Sequence, residues 1–357
     1  MKYIQHAHRS FSIYLLFLFH IPSYSCMDRT EQHNQTSEPL VGIAACSATY
    51  TASSIVALTK RLHPDFIELK TIRRVFHPGH PSPLIAPVSI PFERQISPIH
   101  FENVGETDIV GTFYPGKRLE DSPQIALANS IGLPSASLEE NKERIRKIQT
   151  SLSDYFKKPP KLILSVYGDY YDDFKSLARV GHELNVPYVC ANLSCPNIES
   201  TLPIYKDPSI VRAILTTMKK KLPSTQLIAK IGAFRTDELP LMETILCTIA
   251  QAGAQGVYGI NSVPIIFLNQ KGEPFFGENR RQCGLSGAPI RNLALVFTQQ
   301  AREIIDKHNL DLKLFACGGV TDHTHVAEFA QKGADVVMSA TGATYNSEFS
   351  FKPKSKL

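Results

Sequence analysis

The sequence contains no Cys-x-x-Cys pair and no Gly-x-Gly-x-x-Gly fingerprint, and its apolar run at residues 11–19 is too short to cross a bilayer. The missing glycine fingerprint argues against a dinucleotide-binding fold. The seven cysteines are odd in number, and Cys46, Cys190 and Cys317 lie in strand-like apolar words, which is typical of reduced, intracellular thiols. The net charge is only +5 and the basic residues are scattered, so we do not expect nucleic-acid binding.

Short apolar words alternate with helical stretches along most of the chain. At 357 residues, of which 43% are hydrophobic, the chain is long enough for one large barrel or two smaller domains. The alternation predicts parallel strands joined by crossover helices. We predict eight strands, at residues 41–45, 66–70, 162–167, 188–193, 227–231, 256–261, 314–317 and 336–341. Eight is the number required by an α/β fold of the (β/α)₈ TIM-barrel type.

Three segments stand apart from the barrel, which we assign to residues 40–347. Residues 81–122 are rich in Pro and Gly and are predicted to form an insertion over the C-terminal mouth of the barrel, either a lid or a loose surface loop. Residues 348–357 are predicted to be a C-terminal tail. Residues 1–39 form a leader with basic residues before the apolar run, which resembles a signal peptide. The alternatives are a membrane-surface anchor and translation that starts at Met27. We favour these two, because unpaired thiols suit the cytoplasm better than an oxidising compartment.

Polar or glycine residues coincide with six of the predicted strand ends. These residues are Lys70, Asn192, Cys195, Lys230, Asn261, Ser262, Gly318, Gly319 and Thr341. TIM-barrel enzymes draw their active sites from the C-terminal strand ends, and phosphate groups commonly bind between the last two strands. The Gly318-Gly319 pair allows backbone N–H groups to approach a phosphate closely. Each feature alone is explained by an ordinary turn, but their coincidence predicts an active site.

Residues 189–197 run from a buried strand into a thiol flanked by two carboxamides. The word Asn192-Leu-Ser-Cys195-Pro-Asn197 resembles the signature of the dihydroorotate dehydrogenases, and the resemblance extends over residues 41–345. The words at residues 129–134, 229–231, 284–290, 317–320 and 338–341 also resemble that family. The resemblance implies an FMN-dependent oxidoreductase that converts dihydroorotate to orotate in pyrimidine biosynthesis.

The resemblance also implies a role for individual residues. Cys195 would be the general base that removes the C5 proton while hydride leaves C6 for flavin N5, and a cysteine there is typical of the class 1 branch of the family. The implied substrate-binding residues are Lys70, Asn129, Gly132, Leu133, Asn192, Asn197, Asn261 and Ser262. The implied FMN-binding residues are Ala45, Lys70, Asn192, Lys230, Asn261, Gly287, Gly318, Gly319, Ala340 and Thr341. No metal is expected.

The sequence departs from the family pattern around the substrate pocket. Cys46 replaces a usual glycine, Leu84 stands where an arginine is usual, and Ile198 follows Asn197 in place of Pro-Gly. Arg118 is the candidate to replace the missing arginine. These changes leave open another dihydropyrimidine as substrate, a flavoprotein without catalysis, or a Schiff-base lyase that uses Lys230. The resemblance implies a homodimer, and the electron acceptor stays open among fumarate, a quinone, or NAD through a partner subunit.

Overall fold

Eight parallel strands close into a barrel in the computed structural model, which describes residues 38–88, 108–109, 125–195, 203–269 and 271–353. Numbered in chain order with the strands of a second sheet, the barrel strands are β1 (Leu40–Ile43), β2 (Phe66–Glu68), β6 (Lys161–Val166), β7 (Tyr188–Asn192), β8 (Gln226–Lys230), β9 (Gly256–Gly259), β12 (Lys313–Cys317) and β13 (Val336–Ser339). Their order around the barrel is β1-β13-β12-β9-β8-β7-β6-β2. All eight predicted strands are therefore confirmed, as is the TIM-barrel fold.

Several strands end earlier than the sequence predicts. β2 ends at Glu68 rather than at residue 70, β9 at Gly259 rather than at 261, and β13 at Ser339 rather than at 341. Lys70 and Asn261 consequently lie in the loops that follow their strands, whereas Thr341 begins the short helix after β13. Loop residues at strand ends are free to turn towards the barrel axis, where a ligand would bind.

Helices follow the barrel strands, and all but the last connect one barrel strand to the next on the outside of the barrel. They are α1 (Ala52–Leu62), α2 (Leu138–Tyr155), α3 (Tyr171–Glu183), α4 (Pro208–Lys219), α5 (Leu239–Gln251), α6 (Arg291–Lys307), α7 (Thr324–Gln331) and α8 (Thr341–Tyr345). Apolar residues spaced by three and four positions face inward, as Leu177 and Val180 do in α3. Within the described residues, no helix is both long and apolar enough to span a membrane.

A five-stranded sheet lies outside the barrel. Its strands are β3 (Ile85–Pro87), β5 (Ala126–Asn129), β11 (Gln282–Gly287), β10 (Val263–Phe267) and β4 (Asp108–Ile109), in that order. Strands β3 and β4 come from the predicted insertion, whereas β10 and β11 form an antiparallel pair in the connection between β9 and α6. Residues 284–290 were identified from the sequence only by their resemblance to a known family, and this pair was not predicted. The other strands of its sheet come from distant parts of the sequence.

Large side chains fill the barrel lumen. The rings of Phe66 in β2 and Phe315 in β12 lie 5.5 Å apart, and Tyr258 in β9 lies 6.0 Å from Phe315. The lumen is thus closed by packing and provides a floor beneath the C-terminal strand ends. At the chain terminus, the predicted tail begins with packed residues, since Phe349 and Phe351 are buried and their rings lie 4.9 Å apart.

Candidate active site

One pocket at the C-terminal ends of the barrel strands gathers most of the predicted site residues. Fourteen of them line it: Ala45, Lys70, Asn129, Leu133, Asn192, Cys195, Lys230, Asn261, Ser262, Gly287, Gly318, Gly319, Ala340 and Thr341. They come from loops and strands on every side of the barrel, and Asn129, Ser262 and Gly287 lie in or beside strands of the second sheet. The second sheet therefore forms one wall of the pocket.

Of the predicted site residues that the structure describes, Gly132 does not line this pocket. Gly132 has a φ of +71°, and a Cβ placed there would lie 2.5 Å from the His80 ring, so this glycine permits close packing behind the wall. Asn197 lies outside the described residues, as do Ile198 and the candidate replacement arginine Arg118.

A different arginine approaches the turn that carries the departure at Leu84. Arg280, in the loop between β10 and β11, donates hydrogen bonds of 2.7 Å to the Pro81 carbonyl and 2.9 Å to the Pro83 carbonyl. These bonds connect the start of the insertion to the second sheet. Arg280 therefore binds backbone carbonyl groups at this turn. It is not among the residues that line the pocket.

Two carboxamides form the centre of a hydrogen-bonded network. The Asn261 amide nitrogen donates to the Asn192 side-chain oxygen at 3.3 Å and to the Ser194 carbonyl at 3.1 Å. The Asn192 amide nitrogen donates to the Thr71 hydroxyl at 3.3 Å, and Thr71 is 2.9 Å from the Ser165 hydroxyl. The network fixes both carboxamides at the edge of the pocket. Amide groups held in this way can pair with the N–H and carbonyl groups of a planar ring.

Two lysines bring positive charge to the pocket, in different environments. Lys230, in β8, is buried and forms an ion pair with Glu68 of β2, with Nζ 2.8 Å from Oε2. Burial lowers the pKa of Lys230, but the charge of Glu68, together with weaker contributions from neighbouring groups and from the hydrogen bond to Glu68, leaves the pKa above its ordinary value. Burial lowers the pKa of Lys70, and its electrostatic interactions with Cys195 and Cys46 counteract the shift. Lys70 therefore shares its electrostatic environment with both thiols.

The Cys195 thiol is half-buried and lines the pocket after the end of β7. Its neighbourhood includes Lys70 and Tyr167, and burial raises the pKa of Tyr167 to about 12, so this tyrosine is neutral at physiological pH. A cationic neighbour favours the thiolate form of a cysteine. Cys46, a second half-buried thiol in the same pocket, lies 3.2 Å from the Thr344 hydroxyl.

Small residues line the opposite end of the pocket. Gly318 and Gly319 have φ values of +130° and +74°, and a Cβ on Gly319 would lie 2.6 Å from Arg291 at the start of α6. Glycine is required because the backbone adopts a conformation that L side chains rarely adopt and packs directly on the helix. Thr341 lies nearby and donates to the Ser286 hydroxyl at 3.1 Å. Backbone N–H groups and hydroxyls at this end suit an anionic group such as a phosphate.

Several residues of the site were not predicted from the sequence. Thr71, Ser286 and Ser339 line the pocket as hydroxyl groups, and Ser194 bonds to Asn261. The most important omission is Glu68, which is fully buried beneath the pocket. The sequence gives one signal for this residue, a carboxylate between the apolar residues Ile67 and Leu69. A charged residue between apolar neighbours in a strand was also the reason for selecting Lys230.

The fold and the pocket define a barrel enzyme whose reactive groups lie at the C-terminal strand ends. The sequence profile described as dihydroorotate dehydrogenase matches residues 114–354 of this chain. A dihydroorotate dehydrogenase of Dictyostelium discoideum is 31% identical over 299 residues, which cover 81% of this chain and 77% of the relative. The chain therefore belongs to the dihydroorotate dehydrogenase family and is an oxidoreductase that acts on a CH–CH group.

Two further relatives and one solved structure are more distant. The catalytic subunit of dihydroorotate dehydrogenase B (NAD(+)) from Thermotoga maritima is 28% identical over 62% of this chain and 74% of the relative. The NAD-dependent dihydropyrimidine dehydrogenase subunit PreA of Escherichia coli K12 is 28% identical over 62% of this chain and 53% of the relative. A crystal structure of an Eimeria tenella dihydroorotate dehydrogenase in complex with ferulenol has a TM-score of 0.63 at 19% identity, covering 85% of this chain and 76% of the other. That structural similarity supports the barrel fold.

Proposed function

We propose that the protein is an FMN-dependent enzyme that oxidises dihydroorotate to orotate in pyrimidine biosynthesis, with Cys195 as the general base. The observation that carries this proposal is the meeting of the Cys195 thiol, two lysines and the Asn192–Asn261 amide network in a single pocket. Removal of a proton and a hydride from adjacent carbons needs a base on one side of a fixed planar ring and an electron acceptor near it.

The residues present fit FMN. Gly318, Gly319, Ala340 and Thr341 carry no large side chain and line the end of the pocket where a phosphate could accept backbone N–H bonds. Lys230 provides a cation at the floor of the pocket, where negative charge would develop on a reduced ring. When bound, FMN would supply the two-electron acceptor that the protein side chains lack.

The protein side chains would bind the substrate and move its proton. Asn192 and Asn261, already fixed by their own hydrogen bonds, would orient the pyrimidine ring, and Asn129, Ser262 and the Asn197 side chain would complete its contacts. Cys195 would hold the proton taken from C5. Lys70, which shares the environment of Cys195, would favour its thiolate and attract the substrate carboxylate.

A second candidate function is oxidation or reduction of another dihydropyrimidine. Two observations favour it: the similarity to a dihydropyrimidine dehydrogenase subunit, and the presence of Cys46 in the pocket wall. A side chain at that position would narrow the pocket close to the bound ring. The choice between the two substrates depends on whether the site accommodates the carboxylate that distinguishes dihydroorotate from dihydrouracil.

The ion pair between Lys230 and Glu68 argues against a Schiff-base lyase. A nucleophilic lysine must be an unprotonated amine, and a lowered pKa is the usual means to this end. Glu68 instead raises the pKa of Lys230 and holds its Nζ at 2.8 Å. The electron acceptor of the proposed reaction stays open among fumarate, a quinone, or NAD through a partner subunit, and we propose a homodimer.

The test is anaerobic mixing of purified protein with dihydroorotate or dihydrouracil, after the flavin content has been measured. We expect about one FMN per chain, with bleaching of the flavin absorbance by dihydroorotate and slow or no bleaching by dihydrouracil. The reverse preference would establish the second candidate function. Absence of a yellow chromophore, together with no FMN uptake on reconstitution, would refute both.

A further inference from the structure

A buried ion pair crosses the barrel lumen beneath the pocket. Glu68 extends from β2 and Lys230 from β8, and these strands are separated by β6 and β7 around the barrel. The ammonium Nζ lies 3.2 Å from Oε1 and 2.8 Å from Oε2 of the carboxylate. The Glu68 side chain is fully buried and that of Lys230 is 6% exposed. Two charges removed from water at this depth are costly unless each is the partner of the other.

The Glu68 carboxylate is also anchored to the wall of the pocket. Its Oε2 accepts a hydrogen bond of 2.9 Å from the backbone N–H of Ala45, which follows β1 and lines the pocket. The carboxylate thus has two fixed donors, the Ala45 backbone and the Lys230 ammonium. Both donors constrain its position, and through it the position of the ammonium.

Other titratable groups around Lys230 are neutral or positive. Tyr258 of β9 lies under the ammonium, with Nζ 4.3 Å from the ring centroid. Burial raises the pKa of Tyr258 and of the Cys190 and Cys317 thiols, which face the lumen from β7 and β12. Lys70 adds a second cation from the loop after β2. Glu68 is therefore the group that balances the charge of Lys230.

We propose that Glu68 is a positioning residue that keeps the Lys230 ammonium protonated and fixed on the barrel axis, so that a constant positive charge faces the ring-binding site. The proposal rests on the proposed function in so far as the ring is that of a flavin. A positive charge beneath the ring favours the reduced, negatively charged cofactor. Glu68 acts through Lys230 and is not among the residues that line the pocket.

The two lysines of the site illustrate the effect of the carboxylate. The pKa of Lys70 is lowered, mainly by burial, and Glu68 is the weakest of the charges acting on it. The pKa of Lys230 is raised although Lys230 is more deeply buried, because Glu68 is in direct contact. Without that carboxylate, we expect the pKa of Lys230 to fall below 10.5, its ordinary value.

The first experiment needs no flavin. In the wild type, the pKa of Lys230 is higher in the folded than in the unfolded state. Lys230 therefore carries its proton in both states between about pH 7 and pH 9.5, and it adds no pH dependence to the stability in this range. In Glu68→Gln the folded pKa lies below the unfolded value, so the unfolded chain binds more protons and stability rises with pH. Urea unfolding of the apoprotein measures the unfolding equilibrium constant of each variant. The ratio of the Glu68→Gln constant to the wild-type constant should fall about tenfold from about pH 7 to pH 9.5.

Two control variants isolate the cause. Tyr258→Phe removes a polar group from the same cluster but keeps the ion pair, and it should retain the wild-type pH dependence. The double variant Glu68→Gln/Lys230→Met lacks both charges of the pair, so the rise of stability with pH that Lys230 causes should disappear. If Glu68→Gln alone does not fold while the double variant does, the unbalanced ammonium is responsible and the proposal is supported. A Glu68→Gln protein with the pH dependence of wild type would overturn it.

The second experiment measures the reduction potential of bound FMN by equilibration with a redox dye at several pH values. We expect the Glu68→Gln potential to fall relative to wild type as Lys230 loses its proton at alkaline pH. A tenfold shift of the two-electron equilibrium towards oxidised flavin corresponds to about 30 mV. A constant difference across the pH range would contradict the proposal. Failure of the wild type to bind FMN would refute the proposed function alone, because the unfolding experiment still decides the role of Glu68.

Discussion

At the scale of single residues, the proposed function depends on a thiol whose neighbours are determined by the barrel. Cys195 lines the pocket beside Lys70, and the Asn192 and Asn261 carboxamides are fixed a few residues away. Cys247, by contrast, lies in α5 on the outside of the barrel. The chain therefore offers an internal control for the chemistry of cysteine, since both thiols are half-buried but only Cys195 lines the pocket.

Cys195→Ala should leave FMN content unchanged and slow flavin reduction by dihydroorotate by roughly 10²–10⁴-fold, the usual effect of a lost general base. Cys195→Ser should retain a small part of the rate, rising with pH, because a hydroxyl gives up its proton less readily than a thiol. Stopped-flow absorbance under anaerobic conditions measures both rates. Cys247→Ala, the control, should reduce its flavin at the wild-type rate. If Cys195→Ala also reduces its flavin at the wild-type rate, a group other than Cys195 removes the C5 proton.

At the scale of secondary-structure elements, Gly287 is the residue at which the chain leaves the second sheet and turns towards helix α6 of the barrel. It ends β11, has a φ of +94°, and a Cβ there would lie 2.0 Å from the Ile125 carbonyl oxygen. Gly272, in the loop between β10 and β11, has a similar φ of +78° but nothing within 4 Å of the added Cβ. Substitution of Gly272 therefore measures the free-energy cost of the backbone conformation alone. Substitution of Gly287 measures that cost together with the cost of the close contact.

Gly287→Ala should destabilise the protein by about 2–4 kcal/mol, because a strained backbone and an overpacked contact add together. Gly272→Ala should cost only about 1 kcal/mol, the price of a left-handed conformation. Urea unfolding gives both free energies. We also expect weaker FMN binding for Gly287→Ala, since Gly287 lines the pocket. Equal costs for the two variants would show that the contact with Ile125 relaxes freely.

At the scale of the whole molecule, residues Pro39–Leu357 form one compact unit that contains the complete barrel and the pocket. A chain that starts at Met27 retains this unit. We predict that it folds and binds FMN like the full chain, with a melting temperature within about 2–4 °C, which for a large domain corresponds to roughly 1 kcal/mol. Thermal unfolding and flavin absorbance test this. A truncated chain that aggregates or loses FMN would show that the apolar run at residues 11–19 packs into the domain.

The sequence alone determined the barrel and most of the pocket. Eight apolar words with helical stretches between them admit few other arrangements, and the parallel strands bring their C-terminal residues together at one mouth. Lys230 could be selected because a charged group between apolar neighbours in a strand is unusual. Cys195 was identified by the resemblance of its word to that of a known family. Their placement in one pocket follows from the topology that the sequence pattern already predicted.

Only the tertiary structure decided which distant residues meet. The second sheet depends on pairing between β5 and β11, more than 150 residues apart, and no local pattern reveals such a register. The position of Gly132 behind the wall depends on its packing against His80. The ion pair of Glu68 and Lys230 is likewise a contact across the lumen, between strands that are not neighbours in the barrel. Local sequence propensity determines where the helices and strands form. The burial of a side chain such as Glu68, and the balance of its charge by Lys230, arise only when the barrel closes.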